Sequence, residues 1–159
     1  MTRKLGTLAR QYHFSLNPYT VFKFTTCPDC KNQTGQRKLP LLIHVMSAHM
    51  IAMNYTNRYC ARCDMLIGHK FEIEHFLTEV FLQTAPTDIG NEYTIIGTVE
   101  KKAWRESMKG RFVTGDMLRQ THDFKSYQVI SMTMGGWMPR DMEPPVIPHP
   151  PSPEWVKRT

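Results

Sequence analysis

The chain has no apolar run approaching the ~20 residues that a membrane-spanning helix needs, which excludes a helical membrane protein. It has no HExxH, no Walker A sequence, no GxGxxG and no GxSxG. The common sequence routes to zinc proteases, phosphate-loop hydrolases, dinucleotide enzymes and serine hydrolases are therefore closed. Acids are scarce at one end: residues 1–70 hold ten Lys/Arg against two acids, a net +8, whereas residues 71–159 hold ten against twelve, a net -2. The N-terminus, Met1 to Arg10, is basic but lacks the continuous apolar stretch of a secretory signal. Cysteine is also sparse, with four in 159 residues.

Those four form two pairs, Cys27-Pro-Asp-Cys30 and Cys60-Ala-Arg-Cys63, and leave no thiol over. A two-residue spacer lets both sulfurs of a pair face one ion, and four soft thiolates suit tetrahedral Zn²⁺. The 29 residues between the pairs are enough for a β-hairpin that returns the second to the first. Two other readings compete. A redox dithiol is favoured where CxxC opens a helix, but here the first pair precedes a polar loop. A catalytic zinc needs an open position, which four protein thiolates do not leave. Zinc is thus the expected cofactor, in a structural role. Paired thiols of this kind fit a reducing compartment, so a cytoplasmic location is expected.

The double CxxC pattern with Pro28, over about residues 21–68, resembles the zinc-ribbon class. In that class two knuckles at the ends of β-hairpins share one ion. The chain departs from it at Lys31 and Asp64, which stand where such knuckles often carry glycine after the second cysteine. The resemblance implies frequent contact with nucleic acids.

The basic half suggests an anionic partner. Lys23, Arg37, Lys38, Arg58 and Arg62 are candidate phosphate contacts, and Tyr55 and Tyr59, with Tyr19, are candidate stacking rings for RNA or DNA. The competing reading makes the cations a counterweight to the charge of -2 on a zinc with four thiolates, and the rings core residues. The loop 31–38 is the best single candidate for an anion-facing surface.

We expect an α+β protein in three parts. Residues 1–85 would be a β-rich zinc-ribbon domain with a C-terminal helix, 86–137 a small αβ block packed on it, and 138–159 an extended proline-rich tail. In the first part, alternation over Tyr12–Leu16 and the β-prone Val21–Thr25 predict a hairpin turning at Asn17-Pro18. A second hairpin is expected over Leu41–Met46 and Met50–Tyr55. Phe71, Ile73, Phe76, Leu77, Val80 and Phe81 then predict a helix from about Lys70 to Gln83, stopped by Pro86, with Glu72, Glu74, Thr78 and Glu79 on its other face. Strands are expected at Tyr93–Val99 and Tyr127–Met134, and helical turns at Lys101–Met108 and Met117–His122.

The tail holds seven prolines between Met138 and Pro153, bracketed by Trp137 and Trp155. Such a run favours extended backbone, and the two tryptophans are candidate anchors for a protein partner. His122-Asp123 is a weak acid–base candidate in an expected loop. No catalytic constellation stands out, so the expected function is a non-catalytic accessory subunit that binds nucleic acid or a nucleoprotein assembly. A protein-interaction adaptor without nucleic-acid contact is the alternative.

Overall fold

The computed structural model describes residues 4–46, 49–106, 113, 115–134 and 140–157. Among these, seven strands form one mixed sheet in the order β6-β5-β2-β3-β4-β1-β7. The strands are β1 (His13–Asn17), β2 (Gly35–Val45), β3 (His49–Cys60), β4 (Met65–His69), β5 (Tyr93–Val99), β6 (Thr121–Asp123) and β7 (Ser126–Val129). The helices are α1 (Lys70–Thr84), α2 (Lys101–Glu106) and α3 (Gly115–Arg119). Strands from both sides of position 86 share the sheet, since β5 lies between β2 and β6. The expected block at 86–137 is thus continuous with the first part through backbone pairing.

The spine is the long antiparallel hairpin of β2 and β3, paired from Gly35↔Tyr59 to Val45↔His49. Successive strand side chains point to opposite faces, and the sequence uses that period. Leu41, Ile43 and Val45 on β2 and Ile51, Met53 and Tyr55 on β3 face α1, joined by Phe14, Leu16 and Leu66. Leu42 and Ala52 face the other way, where Val99 and Met117 cover them. A third cluster, at the far end of β3, is built from Tyr19, Met65, Ile67 and Ile130 around Cys27 and Cys60.

α1 covers the first face with Ile73, Leu77, Val80 and Phe81, all buried. Each such side chain stabilises the fold by about 1.5–3 kcal/mol on full burial. Pro86 opens a short 3₁₀ turn directly after the helix, as expected. Two residues expected on the polar face, Glu74 and Thr78, are instead buried. Glu74 is held by the Tyr93 hydroxyl at 2.7 Å and by Lys70 at 3.5 Å.

The first expected hairpin is replaced by a different pairing. β1 does form, but it pairs in parallel with β4 and β7, not with residues 21–25. The cause is local. Asn17 Oδ1 accepts the Tyr19 N–H, and its Nδ2 donates to the Phe22 carbonyl. That turn directs the chain out of the sheet, and Phe24 at φ 46° breaks the extended run. The polar segment expected as loop 31–38 is also corrected, because Gly35 to Lys38 are paired rungs of β2. The strand expected at Tyr127–Met134 is shorter, Ser126–Val129. Of the expected helical turns, the first is α2, Lys101–Glu106, and the second is α3, Gly115–Arg119, with His122 in β6 instead. Ser47, Ala48, Met108, Gly110 and Gly135 to Pro139 lie outside the described residues.

The C-terminal segment runs along the body. Met134 N–H donates to the Pro145 carbonyl and Ile147 N–H to the Met132 carbonyl. Trp155 is 6% exposed in the α1-side core, against Phe81 and Tyr93, and its indole N–H donates to the Asn91 carbonyl at 2.8 Å. Gly90 makes room for this arm: it holds φ 89°, and a Cβ there would lie 2.2 Å from the Lys157 backbone nitrogen.

Candidate metal centre and the adjoining basic cleft

The β2–β3 ladder brings the two cysteine pairs together. The first pair precedes β2 in a loop closed by the bridge Thr26↔Gln33, and Gly35 sits opposite Tyr59. Cys60 is the last residue of β3, and the turn to β4 is closed by the pair Cys60↔Met65. All four sulfurs lie within 4.8 Å of one another. Cys27 and Cys63 Sγ are 3.9 Å apart, and Cys30 and Cys60 Sγ are 3.4 Å apart. A tetrahedron with metal–sulfur arms of about 2.3 Å has edges of about 3.8 Å, so the sulfurs fit one ion. They are far outside the ~2.05 Å of a disulfide.

Lys31 and Asp64, which stand where such knuckles often carry glycine, adopt φ 67° and 52°. Both therefore take the left-handed conformation that glycine would supply. At Lys31 the ammonium donates to the Pro28 carbonyl and the N–H to the Cys27 carbonyl. At Asp64 the carboxylate accepts from Tyr59 at 2.9 Å and from Lys125 at 3.0 Å.

Thiol acidity is uneven across the cluster. The Asn32 backbone N–H, followed by its neighbouring sulfurs, lowers Cys30 to about 7 against the cost of burial. Burial raises the Cys60 thiol. Burial and then the three other thiols push Cys63 up to about 12. Protons alone thus leave the cluster mixed, and a dication that replaces them removes the conflict. The apolar shell of Phe22, Phe24, Met65, Ile67 and Ile130 limits solvent around the sulfurs.

A cleft of about 370 Å³ opens where the sheet splits. β3 pairs with β4 only over Arg58 to Cys60, and upstream of Arg58 the strands splay. Lys23, Gln36, Thr56, Arg58, His69 and Glu72 are among the residues lining the wedge, beside the start of α1. His69 Nδ1 is shielded and has no hydrogen-bond partner. Arg58 donates through Nε and Nη2 to Thr34, with contacts of 2.7 to 3.0 Å.

The expected nucleic-acid residues divide accordingly. Lys23 and Arg58 meet in this cleft. Arg37 and Lys38 are exposed but successive on β2, so they point to opposite faces. Arg37 lies over the Tyr59 ring at 3.9 Å and donates to the Tyr12 hydroxyl, and that hydrogen bond raises its pKa. Arg62 is exposed on the second knuckle. Tyr55 is 8% exposed. Its hydroxyl donates to Glu72 and accepts the His69 N–H, so the ring is core and is not free to stack on a base. Tyr19 is likewise buried. Trp155 anchors the chain's own tail, a correction to its expected partner role, and Trp137 lies outside the described residues. Asp123 spends both oxygens on the N–H groups of Leu5 and Gly6, and His122 meets Glu100 and the Ala9 carbonyl. These contacts fasten the N-terminal segment to β6. His69 was missed because a lone histidine before a helix carries no spacing signal.

No family model matches the chain, and no curated protein or solved structure matches it either. No helix among the described residues is long and apolar enough to cross a membrane.

Proposed function

We propose that the four sulfurs hold Zn²⁺ in a structural role and that the chain is a non-catalytic accessory subunit that binds nucleic acid. The chemistry of the donor set supports zinc: four thiolates in a near-tetrahedral cluster suit this ion and leave it no open position. The knuckle geometry at Lys31 and Asp64 supports the resemblance to the zinc-ribbon class. Cytoplasmic residence is part of the same reading, since reduced thiols are needed to load the metal.

The observation that carries nucleic-acid binding is the wedge between β3 and β4, which gathers Lys23 and Arg58 in a concave surface beside the metal centre. Neither cation is neutralised by a carboxylate within ion-pair distance among the described residues. Phosphate is the anion such a surface meets most often in a nucleic-acid partner. The test is fluorescence anisotropy of the zinc-loaded chain with labelled RNA and DNA across a salt series. Binding that weakens steeply with salt supports the reading; absence of binding at low salt overturns it.

A second reading, a protein-interaction adaptor, draws on the exposed apolar side chains Met134, Met142 and Val146 along the tail. It predicts a protein partner whose capture survives nuclease treatment.

A further inference from the structure

Lys23 lines two concavities, not one. On one side is the wedge already described. On the other is a groove of about 520 Å³ formed by Val21–Pro28, Lys31 and Ile130–Thr133, with Phe22 and Phe24 in its wall. The two rings lie 6.5 Å apart, and Phe22 packs edge-on against Tyr19. Val21 is 78% exposed at the groove's rim. A basic polar cleft therefore adjoins a mixed groove with two phenylalanines in its wall, and Lys23, which has no ion pair or hydrogen bond among the described residues, lines both.

A nucleotide has the same two parts, an anionic phosphate and a flat apolar face. The charges fix which part goes where. The groove borders Cys27 as well as Lys31. The formal charge of -2 on a zinc with four thiolates is offset only in part by Lys31, whose ammonium is held by the Pro28 carbonyl, so that side disfavours a phosphate. The wedge offers Lys23 and Arg58, with Glu72 engaged by the Tyr55 hydroxyl. Base stacking in the groove needs an unpaired base, because in a duplex both faces are already covered.

Building on the nucleic-acid reading above, we infer that the groove and the wedge form one site for single-stranded nucleic acid. A base lies against Phe22 and Phe24, and the adjoining phosphate lies in the wedge between Lys23 and Arg58.

The test uses the full zinc-loaded chain and ten-nucleotide RNA and DNA strands carrying 2-aminopurine, free and annealed to complements. Single strands are expected to bind at least about tenfold more tightly than duplexes, with quenching of the fluorescent base. Lys23→Glu is expected to weaken binding by about tenfold or more and flatten the salt slope by about one charge. Phe22→Leu keeps an apolar contact with Tyr19 but removes the ring; it is expected to abolish most of the quenching at unchanged metal content and melting temperature. Equal affinity for duplex and single strand, or full quenching in both variants, overturns this inference and leaves the broader reading standing. Absence of salt-sensitive binding to any of the oligonucleotides overturns both.

Discussion

The guanidinium of Arg37 lies 3.9 Å from the ring centre of Tyr59, and the Tyr59 hydroxyl donates to Asp64, the residue that follows the fourth cysteine. A cation on β2, a ring on β3 and a carboxylate in the second knuckle thus form one chain of contacts. Tyr12 joins it by accepting from Arg37 and by packing edge-on against Tyr59. The sheet and the metal centre are coupled through side chains as well as through backbone pairing.

That coupling is measurable. Arg37→Ala should cost about 0.5–1 kcal/mol, the size of an exposed cation–ring contact. Tyr59→Phe should cost about 1 kcal/mol by removing the hydroxyl from Asp64. Because the guanidinium and the hydroxyl bond both hold one side chain in place, the double variant should lose less than the sum in urea unfolding of the metal-loaded chain. Strict additivity would show the contacts to be independent.

Removal of the metal should unfold the knuckles. Structural zinc contributes on the order of 10–16 kcal/mol in small finger peptides, against a typical net stability of about 5–15 kcal/mol. Cys→Ser at position 27, 30, 60 or 63 should act in the same direction, visible as lost zinc content and a lowered melting temperature. The pH dependence has a defined sign. Cys63, pushed up to about 12, and Cys60, also raised, must lose protons when the ion binds. Apparent affinity should therefore rise with pH, by about tenfold per unit for each thiol still protonated. Competition with a chromophoric chelator at several pH values checks this; a flat profile would count against thiolate ligation.

The parts of the fold that were legible in the sequence are those with a local period. The β2–β3 hairpin carries the short apolar run Leu41–Ile43 followed by Val45, which announced a strand, and α1 repeats Ile73, Leu77 and Phe81, which announced a helix and its buried face. The cysteine spacing announced the four-sulfur cluster in a similar way. The pairing of β1 with β4 and β7 was not legible, because Phe14 meets Leu66 and Tyr127, partners set by tertiary topology. Glu74 read as solvent-facing because its partner Tyr93 comes from a distant strand. Tyr55 and Trp155 stand among the candidate recognition rings for a similar reason: an aromatic residue looks the same in sequence whether it is a core or a contact residue, and both are buried. The wedge is a consequence of two strands splaying, which no local pattern encodes.

The Glu74–Tyr93 pair offers a test of buried polar bonding. Glu74 is 3% exposed, and its Oε2 accepts from Tyr93 at 2.7 Å. Burial, and then the Glu74 charge, hold the Tyr93 phenol well above its ordinary pKa, so it stays a donor through the physiological range. Tyr93→Phe leaves the carboxylate with Lys70 as its remaining partner at 3.5 Å. The expected loss is about 1–3 kcal/mol, the cost of an unmet buried polar group. Chemical denaturation measures it, and a loss below about 0.5 kcal/mol would indicate that water replaces the hydroxyl.

Trp155 makes the tail part of the core. Trp155→Ala should destabilise the chain by about 3–5 kcal/mol, as expected for a large aromatic removed from a packed site. Gly90→Ala should also destabilise it, through the φ of 89° and the clash with Lys157. Truncation before residue 140 should lower the melting temperature at least as much as Trp155→Ala. Retention of full stability by the truncated chain would show that the tail docks without supporting the fold.

The same tail is fastened by a titratable group, the imidazole of His75. His75 Nδ1 lies 2.8 Å from the Glu154 carboxylate, and Nε2 lies 3.2 Å from Glu79, one turn further along α1. The hydrogen bond to Glu154, and then the charges of Glu154 and Glu79, raise the His75 pKa. A raised histidine pKa means that protonation stabilises the docked arm. The contribution is fully present below the ordinary histidine value of about 6.5 and is lost as pH rises through the higher folded value. Hydrogen exchange at the backbone amides of Trp155 and Val156 should therefore show protection that declines as pH rises above the ordinary histidine value of about 6.5, after correction for intrinsic exchange. His75→Gln should remove the pH dependence while leaving Trp155 in its pocket. An unchanged profile in that variant would assign the titration to another group.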